Sequence, residues 1–329
     1  MRLPPFVYHQ PGNLEELLRI RQELGEGCAV LAGGTDLIPM LKRRNTSAGH
    51  LVSVKRVSGF SAIACEEKGG TRIGPAVTLR EIADHPGIRQ SYPLLARAAE
   101  SVGFNQLRNM ATLVGNICLD SKCTFFNQSA FWWKARPDCF KRGGETCHVV
   151  KGGRGCYALS AADTVSALMA LDAELVVQGG GPERRVSLET FYTGDGTRPH
   201  SLAAGEVVTG VLIPPSSRAW REGFLKESFR GSVDFPIASL SLRLKMADDG
   251  VEDIRIALNG VSTRPVRARG AEASLKGRQV NEETIHDALE RIVREASPIS
   301  LIGTTASYRK AVIRAMFLDL MNSETGRNA

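Results

Sequence analysis

Five of the chain's seven cysteines fall in one stretch: Cys118, Cys123, Cys139, Cys147 and Cys156. The last four are spaced C-x15-C-x7-C-x8-C and offer four soft thiolate sulfurs. Four thiolates in a tetrahedral arrangement hold either zinc or an iron–sulfur cluster. Zinc ribbons bring their ligands as short paired C-x2-C knuckles, and the wide gaps here depart from that pattern without forbidding zinc. Two disulfides, or inert buried thiols, are the remaining alternatives. The opening residues MRLPPFVYHQPGN contain no apolar signal core. A cytoplasmic, thiol-reducing compartment is therefore expected, which disfavours disulfides.

The segment that carries these cysteines reads CLDSKCTFFNQSAFWWKARPDCFKRGGETCHVVKGGRGC. It shows neither alternation nor a helical stripe, so an irregular loop of unusual length is expected. Its first half holds Phe125, Phe126, Phe131, Trp132 and Trp133. Cysteines and tryptophans are foreign to disordered chains, so something must hold this loop.

A second group of residues suits an anion. Ala32-Gly33-Gly34-Thr35-Asp36 stands between the apolar strand Cys28-Ala29-Val30-Leu31 and a helix-like run from Leu37 to Leu41. Glycines at a strand–helix junction let backbone N–H groups approach a phosphate closely. The pattern is not G-x-G-x-x-G and carries no P-loop lysine, so a plain tight turn is equally compatible with it. A second turn of small, hydrogen-bonding residues, Thr112, Gly115 and Asn116, immediately precedes the cysteine loop.

The elements that position these groups follow from periodicity. Asn13 is a natural N-cap for an amphipathic helix ending near Gly25, and Leu51 to Val54 is the next strand. The first sixty residues thus read as a small α/β unit. Ser61 to Cys65 and Thr71 to Ile73 suggest a hairpin joined through Glu67-Lys68-Gly69-Gly70. Helices are expected over Leu79–Asp84, Pro93–Val102 and Asp163–Leu171, and a strand over Glu174–Val177. Cys28 and Cys65, both in apolar strands, read as buried structural thiols. Gly179-Gly180-Gly181-Pro182 is the clearest linker signal, which places the first domain at 1–178 and the second at 179–329. Strands at Val207–Ile213, Phe235–Leu244 and Ile254–Leu258, a turn at Asp248-Asp249-Gly250, and helices at Glu283–Glu295 and Thr305–Met321 make the second domain α+β, with a small antiparallel sheet. NSETGRNA closes the chain as a polar tail.

The formal charge of +7 is spread along the chain, with local groups at Lys42-Arg43-Arg44 and Lys141-Arg142. It suits an anionic cofactor or partner. No nucleic-acid-binding motif accompanies it, and no apolar run approaches a membrane span, so neither nucleic acid nor membrane is expected as a partner.

Leu31-Ala32-Gly33-Gly34-Thr35-Asp36-Leu37-Ile38 resembles the first flavin-diphosphate loop of the FAD-binding medium subunits of molybdenum hydroxylases, the xanthine and carbon monoxide dehydrogenase family. Thr112-Leu113-Val114-Gly115-Asn116 is similar to their second loop, usually T-x-G-G-N, with Val114 at the first glycine. Gly205-Glu206-Val207-Val208 and Asp234-Phe235-Pro236-Ile237-Ala238 extend the resemblance into the carboxyl half. The cysteine loop, residues 119–157, resembles an insertion found in the beta subunits of 4-hydroxybenzoyl-coenzyme A reductases, which carries an extra [4Fe–4S] cluster. Cys123-Thr124-Phe125, Asn127-Gln128-Ser129, Trp132-Trp133, Cys147-His148 and Cys156-Tyr157 are its landmarks here.

The resemblance implies a two-part, PCMH-type FAD-binding domain with an inserted iron–sulfur loop, then a domain like the C-terminal domain of carbon monoxide dehydrogenase flavoproteins. It implies that Leu31 to Ile38 cradle the FAD diphosphate, that Thr112, Gly115 and Asn116 bind it from the other side, and that Asp163 bonds ribityl or ribose hydroxyls. Val208 and Lys226 fall at flavin-contacting positions, although Lys226 also reads as a solvated surface lysine. Cys123, Cys139, Cys147 and Cys156 become cluster ligands, with Cys118 a spare buried thiol and His148 a neighbour. Phe125, Phe126, Trp132 and Trp133 shield the cluster, while Lys141 and Arg142 offset its charge or dock an acidic donor. The implied activity is electron transfer from a ferredoxin-like donor through FAD to a small [2Fe–2S] subunit and a molybdenum-cofactor subunit, which removes the phenolic hydroxyl of an aromatic acyl-CoA. Alternatives are the flavin subunit of an oxidative hydroxylase and a zinc-stabilised interaction module.

Overall fold

The computed structural model describes residues 2–65, 69–231, 233–248, 250–301 and 303–326. Its first unit runs β1 (Val7–His9), α1 (Leu14–Leu24), β2 (Cys28–Leu31), α2 (Leu37–Arg43) and β3 (His50–Ser53). The strands form a parallel sheet in the order β1-β3-β2. Asn13 caps α1 as expected, its Oδ1 accepting from Glu16 N at 2.9 Å. Leu17, Leu18 and Ile20 then bury one face of α1 against Val52, Val54 and Phe60. Deleting any of these leucines to alanine removes about 2–5 kcal/mol.

The second unit begins with β4 (Ile63–Cys65) and β5 (Thr71–Ile73). The strands pair antiparallel as the hairpin reading requires, and positions 66–68 of its turn lie outside the described residues. Cys65 is exposed, unlike Cys28, because this edge of the sheet faces solvent. Helices α3 (Leu79–Asp84), α4 (Pro86–Ser91), α5 (Pro93–Glu100), α6 (Asn105–Arg108) and α7 (Leu113–Ile117) follow. Within the cysteine insertion the regular pieces are the single turn α8 (Ala130–Trp133) and a 3-10 turn at Phe140–Arg142. The chain re-enters the body at α9 (Thr164–Ala170), then β6 (Glu174–Gln178), β7 (Arg184–Ser187), α10 (Leu188–Phe191) and β8 (Val207–Ile213).

The boundary expected at Gly179 falls inside a sheet. Strands β4-β5-β8-β6-β7 form one antiparallel five-stranded array. Gly179 to Pro182 is the connection between paired β6 and β7 rather than a linker. All seven residues of β8 are buried, and Val207 joins the core of the amino-terminal unit. The change of sheet comes after Ile213, at Pro214-Pro215.

The carboxyl-terminal unit is an antiparallel sheet, β12-β11-β10-β9, covered by helices. Its elements are β9 (Trp220–Glu227), β10 (Ala238–Ala247), β11 (Gly250–Asn259), β12 (Val266–Arg267), α11 (Arg269–Leu275), α12 (Glu282–Ala296) and α13 (Ala306–Thr325). Alternation along β10 sorts its two faces. Leu240, Leu242 and Leu244 join the apolar core with Ile292, Phe317 and Met321. Ser239, Ser241 and Arg243 point the other way. Ser241 Oγ lies 3.0 Å from Ser166 Oγ on α9. Every residue of α9 is buried, as befits a helix packed between the β10–β11 sheet and the helices α5, α7 and α10.

Strand β10 starts at Ala238, not Phe235, since Pro236 lacks the N–H that pairing would use. Helix α13 continues through the polar Asn322 to Thr325, so the expected tail is helical to that point; 327–329 lie outside the described residues, as does Asp249 of the expected turn. Among the described residues no helix is long and apolar enough to cross a membrane.

Candidate functional site

The loop between β2 and α2 faces the loop before α7 across an open cleft of roughly 1030 Å³. Ala32, Gly33, Gly34, Thr35, Asp36 and Leu37 line one side, and Thr112, Gly115, Asn116, Asp163 and Val208 line the other. Leu31 and Ile38 lie beneath the first loop instead. Their side chains approach the back of Gly34 and pack toward Leu41 and Leu51.

The glycines have specific tasks. Gly34 takes φ +72°, a left-handed conformation that glycine adopts without strain. A Cβ on Gly33 would stand 2.0 Å from Met110 O, so the two loops touch backbone to backbone there. Thr112 caps α7, its Oγ1 accepting from Gly115 N at 3.0 Å. Asn116 Oδ1 accepts from Thr164 N and Thr164 Oγ1 at 3.2 and 2.7 Å, which ties the second loop to the start of α9.

Asp163 sits at that start with its carboxylate in the cleft wall. Oδ2 accepts from Lys226 Nζ at 2.8 Å, while buried Oδ1 has no protein partner. Burial raises its pKa to about 6 despite the opposing pull of Lys226. Lys226 also donates to Ser101 O and Asp234 O, both at 3.0 Å, so its three N–H donors are spent. It is neither surface-solvated nor in the cleft lining; it stands behind Asp163.

The insertion builds a second site. Cys123, Cys139, Cys147 and Cys156 all line one small cavity of about 20 Å³, with Phe125, Phe126, Lys141 and His148. Phe125 and Cys139 also join Trp133 in one buried apolar cluster. Burial raises the Cys123 thiol, and the neighbouring Cys139 and Cys147 sulfurs add to the rise. Burial likewise pushes the Cys156 thiol up to about 11. Val150 N donates to Cys147 Sγ at 3.3 Å. Among the described residues no three Cys, His, Asp or Glu groups converge tightly enough for a single ion.

The remaining residues singled out in the sequence divide. Cys118 lines the glycine-walled cleft, not the cysteine pocket, and burial pushes its thiol up to about 12. His148 lies against Phe125, the ring centroids 4.3 Å apart and tilted by 45°, and its Nε2 lies 2.8 Å from Pro137 O. Phe125, Phe126 and Trp133 are buried, but Trp132 is 50% exposed and shields nothing. Arg142 lies over Trp133 at 3.8 Å.

Contacts invisible in the sequence join the two sites. Lys122, beside Cys123, pairs with Asp36 of the first flavin loop at 2.5 Å. Asn45, just beyond α2, donates to Phe126 O at 2.8 Å. Lys141 pairs with Asp120 at 2.6 Å. Thr197 and Arg198 also reach the cleft; the turn residues Asp195-Gly196 were their only sequence signal.

Residues 4–216 match the family described as the FAD binding domain in molybdopterin dehydrogenase, and residues 223–323 match the CO dehydrogenase flavoprotein C-terminal domain. The chain is 30% identical to the aldehyde oxidoreductase FAD-binding subunit PaoB of Escherichia coli, over 85% of this chain and 89% of that one. It is 25% identical to the carbon monoxide dehydrogenase medium chain of Hydrogenophaga pseudoflava over 99% of both. In fold it superposes on a chain of carbon monoxide dehydrogenase from Hydrogenophaga pseudoflava with a TM-score of 0.82, at 24% identity and full coverage of both chains. The glycine-walled cleft with its free buried carboxylate oxygen fits FAD, and the chain belongs to the FAD-binding medium subunits of the molybdenum hydroxylase family of oxidoreductases, of the carbon monoxide and xanthine dehydrogenase type.

Proposed function

We propose that this chain is the electron-transfer subunit of a molybdenum-dependent reductase of the 4-hydroxybenzoyl-CoA reductase type, carrying FAD in the cleft and a [4Fe–4S] cluster on Cys123, Cys139, Cys147 and Cys156. Its partners would be a molybdenum-cofactor catalytic subunit, a small [2Fe–2S] subunit and a ferredoxin-like donor, in the cytoplasm. One observation carries the reading: four cysteines with wide spacing line one cavity beside the flavin cleft.

The chain's own residues bind, orient and exclude water. Gly33, Gly34 and Gly115 give the FAD diphosphate close access to backbone, with Thr112 and Asn116 bonding from the opposite loop. Asp163 Oδ1 is a free acceptor for a flavin hydroxyl, and Lys226 holds that carboxylate in place. Phe125, Phe126 and Trp133 keep water from the cysteine sulfurs, and such shielding tunes a cluster's potential. When bound, FAD and the cluster supply one- and two-electron chemistry that no side chain here offers.

The test is anaerobic purification with iron, sulfide, zinc and flavin analysis. Roughly four irons and one FAD per chain are expected. A colourless protein with zinc and no flavin would overturn the reading in favour of an interaction module. A second reading, an oxidative hydroxylase, is favoured by relatives named as carbon monoxide, xanthine and aldehyde enzymes. A cluster potential well above that of the flavin would select it.

A further inference from the structure

The cysteine pocket and the flavin cleft share a wall, and a buried cation stands in it. Lys141, on the 3-10 turn Phe140–Arg142, lines the cysteine pocket. Its side chain is only 6% exposed. Nζ donates to Asp120 Oδ1 and Ser121 Oγ, both at 2.6 Å, and to Gly196 O at 2.7 Å. That exhausts the ammonium's donors. Asp120 lines the flavin cleft on the other side of the wall.

Gly196 completes the connection. Its N–H donates to Cys156 O at 3.2 Å while its own carbonyl receives Lys141. A Cβ here would stand 2.7 Å from Cys156 Sγ, so glycine is what lets that sulfur close against the wall. The next residue, Thr197, lines the flavin cleft. Cys156, Gly196 and Thr197 therefore run from one site to the other in direct contact, with the Lys141–Asp120 pair alongside.

Taking an ammonium out of water costs several kcal/mol unless it is well paired. A merely mechanical clamp could have used neutral groups. A full positive charge fixed in a low-dielectric wall stabilises any neighbour that gains an electron. Asp120 partly cancels that charge, and it does so from the flavin side.

We infer that Lys141 is a positioning residue that sets the redox balance between the two sites: its charge raises the reduction potential of the group held by the four cysteines, and Asp120 moderates that effect. The inference rests on the pocket holding the proposed cluster. If it is right, the sign of the two substitutions must differ.

The experiment takes the intact complex with Lys141→Met, Lys141→Arg or Asp120→Asn, measures iron and flavin content, then titrates cluster and flavin potentials by EPR and absorbance. Lys141→Met should lower the cluster potential by about 59 mV or more, a tenfold change in the reduced-to-oxidised ratio of a one-electron couple. Asp120→Asn should raise it, and Lys141→Arg should leave it near wild type. If Lys141→Met fails to assemble, the upward shift in Asp120→Asn decides alone. Full iron with unmoved potentials overturns this inference and leaves the cluster reading intact. A wild-type protein without iron sinks the cluster reading and this inference together.

Discussion

Lys226 Nζ lies 2.8 Å from Asp163 Oδ2, and the two side chains are only 8% and 5% exposed. The lysine projects from β9 of the carboxyl-terminal sheet, and the aspartate sits at the start of α9. The pair therefore spans the seam between the two halves and leaves Oδ1 buried without a protein partner. Lys226→Met would strand a buried carboxylate, a loss of about 3–5 kcal/mol. Thermal unfolding of the apo protein should show a clear fall in midpoint, and Asp163→Asn on top of it should recover part of the loss. A single variant as stable as wild type would mean that the pair contributes nothing.

If Asp163 contacts the flavin as proposed, the same carboxylate makes flavin affinity pH-dependent. Without flavin its pKa is raised from 3.8 to about 6 by burial. A raised carboxylate pKa stabilises the folded apo protein below pH 3.8, and that contribution is lost as pH rises through 6. A flavin hydroxyl donating to Oδ1 favours the ionised form and lowers the pKa again. Affinity must then rise with pH through this window, by about tenfold for each unit the bound flavin lowers the pKa. Fluorescence titrations of FAD between acid and neutral pH would show this. A flat profile in wild type, matching that of Asp163→Asn, would remove Asp163 from the flavin contacts.

Local signals in the sequence survived wherever local physics decides. Asn13 caps α1, α3 covers Leu79–Asp84, and β8 occupies Val207–Ile213 as its unbroken apolar run demands. What was not legible depended on distant partners. Trp220–Glu227 alternates too weakly among its charges to read as a strand, yet it pairs with β10 from Ala238 to Lys245. The Gly179–Pro182 stretch has the composition of a linker, but only the pairing of β6 with β7 shows it to be a turn. Lys226 read equally as a flavin contact and as a surface lysine because nothing nearby in sequence reveals Asp163. The cysteines announced a site; that Lys141 and Asp120 would join it to the cleft was beyond reach of spacing.

Gly33 gives a sharp test of the cleft. A methyl group there meets Met110 O at 2.0 Å and Ala111 Cα at 2.8 Å, both backbone atoms that cannot rotate aside. Gly33→Ala must push the first loop away from the second and widen the cradle where FAD is expected. The purified variant should lose the flavin absorbance while keeping its iron. Gly181→Ala, where no atom lies within 4 Å of the added methyl, is the control and should keep both. Full flavin content in Gly33→Ala would show that the two loops do not grip FAD jointly.

Cysteine substitutions separate the two sites. Cys139 is buried among Phe125 and Trp133 in the insertion, whereas Cys118 lines the flavin cleft at the end of α7. Cys139→Ala removes one of four thiolates and should bleach the cluster absorbance while FAD stays bound, because the glycine loops that form the cleft lie outside the insertion. Cys118→Ala should leave iron intact, since its sulfur contributes nothing to the pocket. If Cys118→Ala lost iron and Cys139→Ala retained it, the ligand set proposed here would be wrong, and the pocket behind Phe125 would be packing alone. If Cys139→Ala lost both cofactors, the insertion would prop open the flavin site through Lys122–Asp36 and Asn45, and Lys122→Met should then reproduce the flavin loss with the iron still in place.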